Sequence, residues 1–473
     1  MGREFLRVVS IDKALNVILE VAESVSREIS AKKEWVHLNE ALGRISAADL
    51  HAPFDIPPFD RATVDGYAVI AEDTFYAEED APAVLSLRGE LRAGEVPTVG
   101  VQRGTCVAIS TGAPMPAGAD AVVKVENTEL AEKSGSGGGS GGGSGGSGGR
   151  GGGKRRFVVG AEGESSEKVK VKIFKPVVPA ENVQRAGSDI GKGERILSEG
   201  TLLTPRETGL LAACGFSEVL VRKKVRVGVL STGNEIVSVD DNQETLPPGK
   251  IYDVNMRTIS DAVRLCGCVP VQLGVAPDDF DEIEARLKSA FQQGTSSCVE
   301  VDVFVVSGGT SAGAGDIVPA VLERNGEILV HGVDIKPGKP FAFGIFSGKP
   351  LFALPGNPTS ALLSFSLFVA PFLKRISAAT NTGTAERVEE KCMKARTSQR
   401  IISEKGRNEF VFVRLERSSG GEMLATPILK GSGAVSTLAS ADGYIFVEKG
   451  REIVDAGETV EIRLLTPNNL PLL

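Results

Sequence analysis

At 473 residues the chain is too long for one hydrophobic core, because single cores stop growing at about 250 to 300 residues, and three or four domains are expected. Its net charge of −8 excludes a global pull toward nucleic acid or an anionic membrane, so any anion site must be locally basic. Six scattered cysteines (Cys106, Cys214, Cys266, Cys268, Cys298 and Cys392) argue against a disulfide framework, and the close pair Cys266 and Cys268 reads as core packing rather than a zinc site.

The first residues carry no uninterrupted apolar run of the kind a secretion signal needs, and Leu6 stands where a myristoylation signal requires Ser or Thr. Ser10 is placed to cap a helix in which Ile11, Leu15, Ile18, Ala22 and Val25 recur at helical spacing. From about residue 47 to residue 175, short β-rich runs at 83–87, 105–109, 121–125 and 169–174 are punctuated by Gly and Pro. That is the pattern of a small β domain, not of a parallel sheet. It is interrupted at residues 134–153, where fourteen of twenty residues are Gly and five are Ser, followed by Lys154, Arg155 and Arg156. Such a segment buries no apolar area and is expected to form a flexible loop spanning about 25 Å, inserted in a hairpin. The basic triplet reads as a solvated loop edge in preference to a contact for nucleic acid or phosphorylated partners.

From Val225 the pattern becomes α/β. Strand-like runs at 225–230, 269–274, 301–306, 341–346 and 351–354 alternate with helix-like runs at 256–266, 280–292, 317–324 and 359–376, which predicts a doubly wound domain. The longest apolar stretch, 361–373, is interrupted by Ser364, Ser366 and Pro371 and reads as too short to span a bilayer. A soluble, cytoplasmic protein with no membrane span and no nucleic-acid partner is expected. After about residue 384, strand-like runs at 410–415, 423–427, 444–448 and 459–464 predict a C-terminal β domain. The fold class is thus α/β plus β, in a multi-domain chain. Residues 1–46 and 176–222 form a discontinuous linking domain, whose first helix is able to pack on the α/β domain. Residues 47–175 form the inserted β domain with the loop 134–156, 223–383 the α/β catalytic domain, and 384–473 the C-terminal β domain.

Polar loops fall just after the predicted strands, at 231–235, 307–316 and 354–358, where open α/β sheets form their ligand crevice. Four of the ten residues from Ser307 to Asp316 are glycine, so backbone N–H groups can approach a phosphate or oxyanion there. Glu235, Asp253 and Asp316 are hard oxygen donors beside that loop and point to Mg²⁺ or a similar divalent cation; for Asp253 and Asp316 helix capping is the rival reading. Asn357 and Pro358 have the residue types of a helix cap and first turn, which makes 354–358 either a tight turn or a ligand loop. Lys336 and Lys339, three residues apart on a stiff turn, suit an oxyanion, with a solvated basic turn as the alternative.

Seven ordered stretches, at 57–68 (from Pro57 through Asp65), 110–120 (with Thr111), 231–235, 251–255, 307–316, 336–340 and 354–358, together resemble the molybdenum insertase family: bacterial MoeA and the E domains of gephyrin-type proteins. The resemblance implies a homodimer of elongated four-domain subunits whose α/β domain is like that of the molybdopterin adenylyltransferases. It implies a molybdopterin molybdotransferase, which takes adenylylated molybdopterin and molybdate, releases AMP and yields molybdenum cofactor with Mg²⁺ or a similar ion. Carried over position by position, Asp316, Ser311, Asp65 and Glu235 take catalytic roles, and Asp316, Asp253 and Glu235 the metal. Substrate falls to Ser307, Gly308, Gly309, Thr310, Gly313, Thr111, Asn255, Pro355, Gly356 and Asn357, and molybdate to Lys336, Lys339, Pro340 and Ser440. Asp65 and Thr111 would act across the dimer. The chain departs from the family pattern at Asn234, where Asp is usual, at Phe412, where an arginine is usual and Arg414 or Arg407 is the candidate replacement, and in the Gly/Ser insertion. With no second α/β domain, a separate adenylyltransferase protein is the expected partner. The alternatives are that the chain is itself the adenylyltransferase, or a gephyrin-like receptor and cytoskeleton scaffold.

Overall fold

Val227, Val229 and Leu230 are fully buried in the strand Arg226–Thr232 (β1), and its neighbours in the sheet are equally apolar. With Val269–Ala276 (β2), Val303–Ser307 (β3), Gly326–His331 (β4), Ala342–Phe346 (β5) and Lys349–Leu354 (β6) it forms a six-stranded sheet of order β2-β1-β3-β6-β5-β4. The computed structural model describes residues 7–131, 169–241, 245–291, 300–309, 317–377, 392–404 and 406–465. These divide into two compact units, one of Met1–Ala48, Glu199–Gly209 and Ser217–Leu473, the other of Asp49–Ser198 and Leu210–Phe216.

In the larger unit β1, β2, β3 and β6 run parallel, and helices cover both faces. Helices Ile11–Ser30 and Asn255–Leu265 and the run Pro358–Ser377 pack on one face; Phe280–Ser289 and Ile317–Asn325 pack on the other. Being buried on both faces is why β1 and β3 read as continuous apolar runs rather than alternating ones. Ser10 Oγ accepts from Lys13 N–H at 3.3 Å and caps the first helix.

The far edge departs from a purely parallel design. β5 runs antiparallel to both β6 and β4, a strand the sequence pattern had not marked. Ser347 (φ 47°) and Gly348 (φ 83°) make a two-residue turn between β5 and β6, and a turn that short joins only antiparallel strands. The apolar stretch also needs correction. Pro358–Ser377 is one 20-residue helical run, long enough and apolar enough to cross a membrane by length and composition, but 72% of its apolar window is buried within the protein. Phe341, Phe343, Phe352, Phe368 and Phe372 stack along it. A π turn over Phe365–Val369 carries the helix to Pro371 without a break. Cys266 and Cys268 belong to this same core, and burial pushes the Cys266 thiol up to about 12.

Five strands of the C-terminal region, Cys392–Thr397, Asn408–Arg417, Met423–Pro427, Gly443–Val447 and Thr459–Leu464, pair in a closed ring around Val411, Val413, Ala425, Ile445 and Ile462. Closure leaves no free edge in the ring. Ile335–Lys336 adds alongside Asn408 and Glu409, fixing the lysine turn to the barrel wall.

The smaller unit holds a six-stranded sheet of Ala121–Lys124, Gly66–Val69, Thr105–Ile109, Ala83–Leu91, Lys170–Ile173 and Thr128–Leu130, in that order. All pairs are antiparallel except Ala83–Leu91 with Thr105–Ile109. Leu130 stands opposite Val171 across the strands that flank the Gly/Ser segment. That segment, Lys154 to Arg156 and Cys298 lie outside the described residues.

Candidate functional site

The carboxyl ends of β1, β3 and β6 lie level, with Ser231 opposite Ser307 and Ser307 opposite Leu354. The loops leaving them are tied together by one side chain. Asn255 Nδ2 donates to Ser307 Oγ at 2.8 Å and to the Gly356 carbonyl at 2.7 Å, while Ser307 Oγ donates to the Pro355 carbonyl at 3.2 Å. Gly308 (φ 102°) has to be glycine, since a Cβ there would lie 2.3 Å from the Thr232 carbonyl oxygen. Its N–H donates to the Leu354 carbonyl at 3.1 Å and so closes the strand end instead of facing a ligand. Gly309 is also left-handed (φ 61°), and its carbonyl accepts from Ile317 N–H at 3.1 Å.

Around this knot four buried side-chain oxygens have no hydrogen-bond partner among the described residues: Ser231 Oγ, Thr232 Oγ1, Asp253 Oδ2 and Asn255 Oδ1. An unpaired buried polar group costs about 1 to 3 kcal/mol, so a set of them marks a place where something else supplies the bonds. Asp253 Oδ1 accepts from Met256 N–H at 2.9 Å at the helix start, as its capping reading expects, and Oδ2 has no hydrogen-bond partner among the described residues. Glu235 is exposed at the rim. Asn234 Oδ1 accepts from Asp278 N–H at 3.2 Å, a structural use of the residue. Among the described residues no three His, Cys, Asp or Glu side chains gather as a metal site. Thr310, Ser311, Gly313 and Asp316 lie outside the described residues.

A second feature opens between the α/β sheet and the barrel. A cleft of about 610 Å³ is lined by Lys336, Lys339 and Pro340, by Pro355 and Asn357, and by Arg407, Glu409, Phe412, Lys430, Ser432 and Thr437 from the barrel side. Among the described residues four cations and one carboxylate line it. Lys336 Nζ pairs with Glu409 Oε1 at 3.2 Å and Glu404 Oε2 at 3.5 Å, and Lys430 Nζ donates to Ser436 Oγ at 2.9 Å. Of the two arginines considered from the sequence, Arg407 lines the cleft and Arg414 does not. Ser440 does not line it either, and its hydroxyl donates to the Ser436 carbonyl at 2.6 Å. Lys430, Ser432 and Thr437 went unnoticed in the sequence, where the run Lys430-Gly431-Ser432-Gly433 was the available signal: a cation and a hydroxyl on a glycine turn.

The two features share a loop. Gly356 is held by Asn255 from the crevice, and Asn357 faces the cleft, where its Nδ2 donates to Ser432 Oγ at 2.9 Å. In the smaller unit, Asp65 Oδ1 accepts from both Thr111 N–H (2.7 Å) and Thr111 Oγ1 (2.9 Å), which brings that predicted pair together.

Family models match the chain in three consecutive stretches: the MoeA N-terminal region (domain I and II) over residues 9–215, a probable molybdopterin binding domain over 228–375, and the MoeA C-terminal region (domain IV) over 394–465. The chain belongs to the MoeA family. Similar to this MoeA-family chain are a molybdopterin molybdenumtransferase of Bacillus subtilis, 32% identical over 95% of each chain, and a putative molybdopterin biosynthesis protein of Methanocaldococcus jannaschii, 31% identical over 94% of this chain and 96% of that protein. The crystal structure of a molybdopterin biosynthesis MoeA protein from Pyrococcus horikosii is 37% identical, with a TM-score of 0.70 over 97% of this chain and 100% of that one. In this MoeA-family chain the strand-end crevice falls inside the molybdopterin-binding match. The cleft draws its wall from both that match and the C-terminal one.

Proposed function

We propose that this chain is a molybdopterin molybdotransferase, which inserts molybdate into adenylylated molybdopterin and releases AMP to give molybdenum cofactor. The observation that carries the reading is the loop Pro355 to Asn357, which joins a crevice of unpartnered oxygens to a cleft of four cations. A reaction that brings a pterin phosphoanhydride and a tetrahedral dianion together needs two such sites side by side. The name of the Bacillus subtilis relative supports the same activity.

In this reading Ser307 and Asn255, locked by their mutual hydrogen bond, fix the crevice that receives the pterin nucleotide. Fixed polar groups need no reorganisation as charge develops on the breaking P–O bond. Lys336, Lys339, Arg407 and Lys430 hold molybdate, with Pro340 shaping the turn. Asp65 and Thr111 are assigned to the same reaction. A divalent cation such as Mg²⁺ suits the donor set, since Asp253 Oδ2 and the Ser231 and Thr232 hydroxyls are hard oxygens without partners among the described residues; Glu235 and Asp316 would complete the set. When bound, it would neutralise phosphate charge. A cytoplasmic homodimer, supplied by a separate adenylyltransferase protein, belongs to this proposal and is checked by sedimentation and co-purification.

The deciding experiment incubates the purified protein with adenylylated molybdopterin, Mg²⁺ and molybdate, and measures AMP. Molybdate-dependent release is expected, and Asp316→Ser should abolish it; wild-type release from that variant would sink the site assignment. Adenylylation of molybdopterin from ATP, without molybdate-dependent AMP release, would instead make the chain the adenylyltransferase.

A further inference from the structure

The cations of the cleft are not all free to meet an oxyanion. Lys336 and Arg407 both line it, and a single oxygen, Glu404 Oε2, lies 3.5 Å from Lys336 Nζ and 3.5 Å from Arg407 Nη1. A carboxylate of the chain itself therefore bridges two groups that a dianion would use.

Two glutamates meet Lys336, and they are held differently. The Glu409 side chain is 14% exposed; its Oε1 pairs with Lys336 at 3.2 Å, while its Oε2 accepts from Ser403 Oγ at 2.9 Å and Glu404 N–H at 3.2 Å. It is pinned from several sides. The Glu404 side chain is 51% exposed, and its carboxylate meets its two cations only at the longer distance. Exposed ion pairs of that kind contribute little stability, so this carboxylate can leave at small cost. An entering tetrahedral dianion brings twice the charge to Lys336 and Arg407, and Lys339 and Lys430 add to its side of the balance.

We propose that Glu404 is an internal counter-anion of the cleft, which neutralises Lys336 and Arg407 in the empty protein and is displaced when the oxyanion binds. Glu404 thereby sets oxyanion affinity without touching the reacting atoms; Glu409 stays in place and orients Lys336. The inference rests on the reading of the cleft as the molybdate site.

The test titrates wild type, Glu404→Gln, Glu404→Asp and Lys339→Ala with molybdate by calorimetry, and measures AMP release for each. Removing the competing charge should tighten molybdate binding about three- to tenfold in Glu404→Gln, lower KM for molybdate by the same factor and leave kcat within about twofold. Glu404→Asp should return affinity toward wild type. A residue that merely shaped the loop would give the opposite sign, weaker binding in Glu404→Gln. Unchanged or weaker binding in that variant, with Lys339→Ala still losing molybdate, overturns the proposal. If Lys339→Ala binds molybdate as wild type does, the molybdate-site reading fails and this inference falls with it.

Discussion

The strand-end crevice and the barrel cleft lie on either side of one loop and are built on opposite chemical plans. The crevice is buried and holds a carboxylate, Asp253: Asn255 and Ser307 are tied to one another, and four oxygens are left without partners among the described residues. The cleft is open and cationic, and its charges are already partly answered by Glu409 and Glu404. The crevice offers acceptors and fixed geometry, suited to a phosphate with its counter-cation. The cleft offers point charges, suited to a dianion that must arrive and leave. Each plan explains which substitutions should be tolerated and where.

The largest effect is expected in the crevice. Gly308→Ala sets a Cβ 2.3 Å from the Thr232 carbonyl at a φ of 102°, so the β3 end or the β1 end must move. A loss of about 2 to 4 kcal/mol in unfolding free energy is expected, read by denaturant titration, together with loss of AMP release. Molybdate affinity should stay within about twofold. A variant that lost molybdate binding but kept its stability would erase the distinction between the two regions.

Lys339→Ala should do the reverse. Loss of one charge-assisted contact to a dianion corresponds to about 1.5 to 3 kcal/mol, so KM for molybdate should rise roughly 10- to 100-fold while thermal stability is unchanged. An unchanged KM would remove the lysine turn from the oxyanion site and leave the solvated-turn reading in its place.

How much of this was legible in the sequence follows the same division. β1 and β3 announced themselves because strands buried on both faces must be apolar throughout, and the left-handed glycines after β3 stood out because few other residues are tolerated there. The Ser10 cap and the lysine turn are local signals and were equally plain. β4 was missed because it begins Gly-Glu at a sheet edge, and Cys392–Thr397 because only alternate residues of it face the barrel interior. The cleft was half visible. Lys336 and Lys339 are neighbours in sequence and Arg407 stands out only as one of two candidate arginines, while Lys430 on the cleft wall and Glu404 beside Lys336 are brought there by the fold, where Ile335–Lys336 pairs with the barrel strand. Ser440 looked suitable as a residue type and lies one helical turn from Ser436, to which it donates, while Ser432 and Thr437 take the cleft-facing positions.

The smallest effect tests whether the two regions are coupled at all. Asn357 stands at a helix start but makes no cap hydrogen bond; its side chain reaches across to Ser432 instead. Asn357→Ala removes that one bond and leaves Asn255 holding Gly356. A net hydrogen bond of about 0.5 to 1.5 kcal/mol corresponds to a change of roughly two- to tenfold. If the loop only closes the cleft, KM for molybdate rises by that factor and KM for the pterin nucleotide does not. If the loop sets the distance between the two anions, both KM values hold and kcat falls, because the misplacement is felt when the two substrates must react. The joined geometry at Pro355 to Asn357 favours the second outcome; a change in molybdate KM alone would show two sites that share a wall without sharing a step.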